Sequence, residues 1–132
     1  MAITGVANLA VKVADLDAAV AFYRRAGADV TDPEDWRSGR RSDVHLEPRQ
    51  ITLFTQAIYE DDVDLPPEGF LHVALFTDDL DRQLDGHEIV WGPDTVSGPT
   101  FGTRRIVFVD APGSMRLEFM EQLAPPDAKP VP

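Results

Sequence analysis

One short pattern occurs twice in this chain, and it constrains the fold more than any other feature. The first copy runs from Asn8 to Asp17 and the second from His72 to Asp81. Each copy alternates as a β-strand does and ends on Asp-Leu-Asp, whose first aspartate is a favourable N-cap for a helix. A repeat of this kind indicates one small unit used twice. The copies differ most where His72 stands opposite Asn8, and we expect function to depend on that difference.

The residues after each copy extend the unit in the same order. A helix after Asp15 ends at Gly27, and a shorter helix after Asp79 ends at Gly86. Apolar, β-branched residues then predict three further strands in each unit, at 28–30, 43–47 and 50–54 and at 87–91, 103–109 and 115–120. Residues 31–42 and 92–102 contain proline and glycine and are predicted to be loops.

These elements predict an α+β fold of two βαβββ modules, with eight strands and two helices. Module 1 is expected at about 4–58 and module 2 at about 70–123, with an acidic linker at 59–69, all within a single domain over residues 1–123. Strands that are largely apolar on both faces need cover on both sides. We therefore expect a curved mixed sheet with helices on one face and a central cavity for a ligand on the other. The proline-rich tail at 124–132 is predicted to be disordered.

Composition excludes several classes of function. The 132 residues carry a formal net charge of −11, which argues against DNA or RNA as a partner because phosphate binding needs a basic surface. Disulfide and thiolate chemistry are excluded because the chain has no cysteine. No apolar stretch is long enough to span a membrane and the first residues have no signal-peptide pattern, so we expect a cytoplasmic protein without a membrane partner.

Several segments together resemble the vicinal oxygen chelate superfamily, also called the glyoxalase / bleomycin resistance / dioxygenase superfamily. The matching segments are 8–17 with Ala21-Phe22-Tyr23, 72–75, 108–113 and 116–119. The resemblance covers nearly the whole chain except the tail, and it implies a glyoxalase-like fold. It implies no single activity, because the superfamily includes isomerases, epimerases, lyases, thiol transferases, dioxygenases and metal-free drug-binding proteins.

The resemblance also implies where a metal would be held. In metal-using members each module usually supplies one ligand from its first strand and one from its last. Those positions are Asn8 and Thr52 in module 1, and His72 and Glu118 in module 2. His72 and Glu118 suit a divalent metal such as Zn, Mn, Fe or Ni. Asn8 and Thr52 depart from the usual His and Glu or Gln, so they are expected to line the cavity, and a protein without metal is the alternative.

His45 is the candidate for a third metal ligand. A two-residue turn at Pro48-Arg49 would place His45 opposite Thr52 on the next strand, and cross-strand partners share a face. His72, Glu118 and His45 would then form a set of two histidines and one carboxylate, with open positions for substrate oxygens. Glu118 and His45 are also the candidate general bases.

Three further residues are candidates for ligand contact. Trp36 and Trp91 have flat rings that suit the mouth of a cavity, although ordinary core packing explains them equally well. Arg104 and Arg105 are adjacent on a strand, so one of them faces inward. We name Arg105 as the candidate that clamps a carboxylate or phosphate, with an ion pair to Asp or Glu as the alternative.

Three functions are compatible with these features. The first is a metal-assisted enzyme that abstracts a proton next to a carbonyl of a small oxygenated metabolite, as an epimerase, isomerase or lyase does. The second is a metal-free protein of the bleomycin-resistance kind that sequesters an antibiotic or natural product. The third is an extradiol-type dioxygenase. All three require a small-molecule ligand, and because dimers are common in the superfamily we expect a homodimer.

Overall fold

The computed structural model of the protein describes residues 3–99 and 101–125. The elements in these residues are β1 (Ile3–Lys12), α1 (Leu16–Arg25), β2 (Asp29–Val30), β3 (Glu34–Trp36), β4 (Gly39–Leu46), β5 (Arg49–Phe54), β6 (Gly69–Thr77), α2 (Leu80–Gln83), β7 (Ile89–Gly98), β8 (Gly102–Ala111) and β9 (Met115–Ala124). The predicted α+β class is confirmed, with nine strands rather than eight among the described residues. Both helices in this part of the chain are too short and too polar to span a bilayer.

The repeated strand-and-cap pattern has the predicted structure in both copies. The side chain of Asp15 accepts a hydrogen bond from the backbone N–H of Ala18 at the start of α1. Asp79 accepts one from the N–H of Arg82 at the start of α2 in the same way. Each aspartate satisfies an amide that would otherwise lack a partner at the helix N-terminus. The end of α1 is also as predicted, because Gly27 adopts the left-handed conformation with φ of +98°.

The chain divides into two compact units, and the division lies inside β6. The first unit is Val6–Ala74, and the second comprises the described residues of Met1–Gly5 and Leu75–Pro132. His72 therefore belongs to the first unit although its sequence copy begins the second module.

In the first unit, the strands follow the order β2-β4-β5-β1-β6, and β3 pairs with β4. The sheet is mixed, because β1 runs parallel to β5 whereas β4 and β5 are antiparallel. Helix α1 covers one face of this sheet and buries an apolar core of Leu16, Val20, Val30, Val44 and Leu53. Side chains alternate along a strand, so the residues between these core positions face away from α1.

In the second unit, β7, β8 and β9 form an antiparallel sheet in the order β9-β8-β7. Helix α2 contributes Leu80 to a core with Val107, Val109 and Phe119 on one face. The alternate residues Phe108 and Glu118 consequently lie on the face that is turned away from α2.

Two segments predicted to be loops are largely strand. Within 31–42, residues 34–36 form β3, and β4 already begins at Gly39. Within 92–102, β7 continues to Gly98, and its pairing with β8 shifts register on either side of Trp91. A β-bulge of this kind lets Gly92 and Pro93 remain in a strand, which the turn-forming character of the two residues does not indicate. Strand β9 ends at Ala124, the first residue of the predicted tail, and residues 126–132 lie outside the described residues.

Candidate functional site

The face of the first unit that is turned away from α1 is polar and buried. We call Asn8, Lys12, Arg41, Asp43 and Thr52 the polar face. All five are buried, although their positions alternate with apolar core residues on β1, β4 and β5. Burying polar groups costs free energy unless each finds a hydrogen-bond partner. The hydrogen bonds and ion pairs on this face therefore determine which polar groups are already engaged within the protein and which could contact a ligand.

Thr52 is at the centre of a hydrogen-bond network on the polar face. Its Oγ1 donates to Asp43 Oδ1 at 3.0 Å. The same oxygen accepts from Asn8 Nδ2 at 3.1 Å and from Gln50 Nε2 at 3.3 Å. A hydroxyl offers one donor and two acceptor sites, so all three are used here. Thr52 thus holds its neighbours in place and has no lone pair left for a metal.

The carboxylate of Asp43 is also fully engaged. Arg41 NH2 lies 2.9 Å from Oδ1 and 3.1 Å from Oδ2, and Gln50 Nε2 donates to Oδ1 at 3.0 Å. The guanidinium of Arg41 lies over the rings of Trp36 and Phe54, 5.2 Å and 5.6 Å from their centroids. Trp36 thus contacts the polar face through Arg41. Because its carboxylate is paired with the charge of Arg41, Asp43 is a structural group rather than a base.

The turn of the β4–β5 hairpin lies one residue earlier than predicted, so the predicted register is wrong by two residues. The turn is Glu47-Pro48, because Leu46 pairs with Arg49, and His45 therefore lies opposite Gln50. Asp43, not His45, lies opposite Thr52. Gln50 and Thr52 are two residues apart, so His45 keeps the predicted face but sits one pair closer to the turn.

The region predicted to be a linker contributes a buried side chain to the first unit. Tyr59 is 0% exposed, and its hydroxyl is 3.0 Å from Nδ1 of His72, which is 4% exposed. The next residue, Glu60, binds Nζ of Lys12 on the polar face at 2.6 Å. Sequence patterns missed Tyr59, Lys12 and Asp43. The only signal for Tyr59 was an aromatic residue beside an acidic run, which no strand or helix period explains.

In the second unit, Glu118 lies in a row of side chains that crosses three strands. It pairs with Phe108 on β8, which in turn pairs with Trp91 on β7. The rings of Trp91 and Phe108 meet edge to face with 6.0 Å between their centroids. Glu118 is 7% exposed. The predicted candidates Glu118 and Trp91 thus share one face, with an apolar ring between them.

The structure places Arg105 on the other face of β8. Its NH1 lies 2.6 Å from Oδ1 of Asp81 in helix α2, so the ion-pair alternative describes its main contact. Arg104 instead shares the face of Glu118, where its Nε donates to Gln122 Oε1 at 2.7 Å. Its guanidinium also lies over Phe76 and Phe101. The sequence could indicate that one of the two arginines faces this side, but not which one.

The predicted metal ligands His72, Glu118 and His45 lie on β6, β9 and β4. Residues 3–99 and 101–125 contain no group of three or more His, Asp or Glu side chains that could hold a metal ion. His45 lies opposite Gln50 rather than Thr52. His72 and Glu118 as a pair of metal ligands stay a prediction.

Comparison with known proteins supports the fold. No protein-family model and no curated protein matches the sequence. A methylmalonyl-CoA epimerase from Mycobacterium tuberculosis matches with a TM-score of 0.68 and 22% identity over 92% of this chain and 90% of that chain. A Streptomyces coelicolor methylmalonyl-CoA epimerase in complex with 2-nitronate-propionyl-CoA matches with 0.69 and 22%, over 93% and 100%. A hypothetical protein from Bacillus halodurans matches with 0.67 and 16%, over 93% and 97%. The predicted glyoxalase-like fold is thereby confirmed.

Proposed function

We propose that the protein is an enzyme of the epimerase type, which removes a proton from a carbon next to a carbonyl group and returns it. The main support for the proposal is the burial of Glu118. Its side chain is only 7% exposed and lies on the side of β9 away from α2. Carboxylates are rarely buried without a specific task or partner. The fold shared with two methylmalonyl-CoA epimerases supports the same chemistry.

The reaction makes two demands on the protein. A base must take the proton, and the negative charge that develops on the carbonyl oxygen must be stabilised. We assign the proton transfer to Glu118, because it is the buried carboxylate on the face of the second unit that also carries Phe108 and Trp91. Two carboxylates of the first unit have structural roles instead. Asp43 is bound by Arg41, and Glu60 is bound by Lys12. The ring of Phe108 beside Glu118 would keep water away from the carboxylate during transfer.

The fold family implies that a divalent metal stabilises the negative charge on the carbonyl oxygen. Whether a metal fits depends on the side chains at the four implied ligand positions. The hydroxyl of Thr52 is saturated by three hydrogen bonds, and the neutral amide of Asn8 is a weaker ligand for Zn, Fe or Ni than an imidazole or a carboxylate. Of the four implied positions, only His72 and Glu118 carry side chains that bind divalent metals strongly. The residues do not fit a metal held by four protein ligands, so we derive no step through a metal.

The substrate class follows from the reaction and from the structural relatives. A small thioester or related oxygenated metabolite has an acidic proton next to its carbonyl group. Methylmalonyl-CoA is the first compound to test, because a solved structure of this fold was obtained with it. The test incubates the purified protein with a panel of acyl-CoA thioesters in D2O and follows loss of the α-proton signal by NMR. Catalysed exchange that Glu118→Gln slows by about 100-fold or more supports the proposal.

A metal-free binding protein is the second candidate, and one observation favours it. Trp91, Phe108 and Glu118 place two aromatic rings and a carboxylate on one face of a protein with a net charge of −11. Aromatic rings and carboxylates both attract cations, as a cationic antibiotic would require. Calorimetry with bleomycin separates the candidates. Stoichiometric binding by a protein that exchanges no thioester proton favours sequestration.

A further inference from the structure

Two amide side chains on the sheet of the first unit, those of Asn8 and Gln50, both direct their nitrogens at the hydroxyl of Thr52. We infer that their two oxygens, Asn8 Oδ1 and Gln50 Oε1, form a binding site for an ammonium group of a ligand. All three residues lie within the first unit, Val6–Ala74. The inference goes beyond the proposed function, because it concerns a part of the ligand that takes no part in proton transfer.

The carboxylate of Asp43 fixes the direction of the hydrogen bonds at Thr52. A carboxylate bound by Arg41 only accepts hydrogen bonds, so the hydroxyl of Thr52 must donate to Asp43 Oδ1, 3.0 Å away. The hydroxyl has no second proton, so Thr52 Oγ1 accepts from Asn8 Nδ2 at 3.1 Å and from Gln50 Nε2 at 3.3 Å. Gln50 Nε2 also donates to Asp43 Oδ1 at 3.0 Å. Each amide therefore directs its nitrogen into the network and its oxygen away from it.

The two amides are neighbours in the sheet. Strands β1 and β5 run parallel, and Ala10 pairs with Thr52. Asn8 and Gln50 each lie two residues before this pair, so both side chains point to the face that carries Thr52. Adjacent strands are separated by about 4.8 Å. One small group of a ligand can therefore contact both amide oxygens.

Both amide oxygens are open to a ligand. Among residues 3–99 and 101–125, neither Asn8 Oδ1 nor Gln50 Oε1 accepts a hydrogen bond from the protein. Neither is a fully buried polar atom without a partner, so both reach solvent. Three of the four N–H bonds of the two amides are used by Thr52 and Asp43. The two side chains thus offer a ligand mainly hydrogen-bond acceptors.

A group that donates several hydrogen bonds and accepts none fits two acceptor oxygens best. An ammonium has three donors and no acceptor, whereas a hydroxyl would bring lone pairs that need donors of their own. The net charge of −11 also attracts a cationic ligand to the protein. A hard metal ion such as Ca²⁺ fits less well, because it prefers carboxylate ligands and the nearby carboxylate of Asp43 is bound by Arg41.

The test is an NMR titration of the ¹⁵N-labelled wild-type protein with n-butylammonium chloride. The side-chain amide signals of Asn8 and Gln50 report contact directly, and their loss in Asn8→Leu and Gln50→Met identifies them. We expect saturable shifts of both signals. Tetramethylammonium has the same charge but no N–H donor, and it should leave both signals unchanged. The absence of a saturable shift with butylammonium, or equal shifts with tetramethylammonium, would overturn the inference.

Two substitutions then separate the oxygens from the hydroxyl that orients them. Asn8→Leu removes one acceptor at nearly constant shape, and Thr52→Val lets both amides rotate, so each should weaken butylammonium binding about 10-fold or more. Thr95→Val makes the matched change at an exposed position of β7 and should bind as the wild type does. Wild-type affinity in Asn8→Leu contradicts the inference. The titration of the wild type decides it even where Thr52→Val does not fold.

This inference and the proposed function fail separately, because butylammonium contains no carbonyl group. Saturable binding of butylammonium by a protein that exchanges no thioester proton supports the ammonium site and counts against the epimerase proposal. Exchange activity in a protein that does not bind butylammonium does the opposite, because it supports the enzyme and removes the site at Asn8 and Gln50.

Discussion

The hydroxyl of Thr52 donates to the carboxylate of Asp43 across the β4–β5 pair, with 3.0 Å between Oγ1 and Oδ1. The same oxygen accepts from the amide of Asn8, so one small side chain connects three strands of the first unit. The resemblance implies a metal ligand at position 52, and the chain instead uses this position to hold its polar face together.

Thr52→Val should therefore destabilise the protein although valine has nearly the same shape. The change leaves Asn8, Gln50 and Asp43 each without one buried partner, and each such loss costs about 1–3 kcal/mol. We expect a clear fall in the midpoint of urea unfolding. Thr52→Ser keeps the hydroxyl and serves as the control. Equal midpoints for Thr52→Val and the wild type would show that the network contributes nothing to stability.

Arg41→Met should cost about 3–5 kcal/mol of unfolding free energy, because it leaves the buried carboxylate of Asp43 without its cation. The double variant Arg41→Met with Asp43→Asn removes both charges and should recover part of the loss. The comparison variant is Arg49→Met at the exposed first residue of β5, where we expect less than about 0.5 kcal/mol. A double variant no more stable than Arg41→Met alone would argue against the ion pair as the cause.

Lys12→Met should loosen the turn that carries Tyr59 while keeping the apolar stem at position 12. Hydrogen exchange at the amides of Glu60 and Asp62 should become faster, because Glu60 loses its anchor on β1. A double-mutant cycle with Glu60→Gln should give a coupling energy within about 0.5–3 kcal/mol. Unchanged exchange at these two amides in Lys12→Met would contradict the anchoring role.

Gly92→Ala should destabilise the second unit more than Gly113→Ala does. Both glycines have positive φ, +89° and +85°, so both substitutions strain the backbone. Only at Gly92 would a Cβ also meet a backbone atom, the carbonyl oxygen of Ile106 at 2.9 Å, whereas nothing lies within 4 Å at Gly113. The difference between the two unfolding free energies measures the close approach of β7 to β8. Equal losses would show that backbone strain alone matters.

Sequence patterns predicted the structural features that depend on neighbouring residues in the chain. The two Asp caps, the end of α1 at Gly27 and the alternation of the two repeated strands all follow from residues close to one another in the chain. The position of His45 was predicted only in part. A turn displaced by one residue moved its partner from Thr52 to Gln50 but preserved its face, because register depends on the turn conformation whereas the face depends only on parity.

What the sequence could not predict depends on contacts between distant segments. Tyr59 is 13 residues from His72 and lies in a turn without any periodic pattern, so its contact with His72 became visible only when the turn was placed against β6. The choice between Arg104 and Arg105 likewise depends on the register of β8 with β9, and that register shifts just before Arg104. Composition and spacing contain no information on either point.

The role proposed for Glu118, moving a proton next to a carbonyl group, is tested by deuterium incorporation into a thioester substrate. Wild-type protein, Glu118→Gln and the control Glu47→Gln are incubated with methylmalonyl-CoA in D2O, with and without EDTA. The control alters an exposed residue of the β4–β5 turn. Deuterium at the α-carbon is then followed by mass spectrometry. We predict catalysed incorporation by wild type and Glu47→Gln, and a rate lower by about 100-fold or more in Glu118→Gln. Incorporation at the same rate in Glu118→Gln would contradict the role of Glu118, and none above the uncatalysed rate in the wild type would contradict the epimerase proposal.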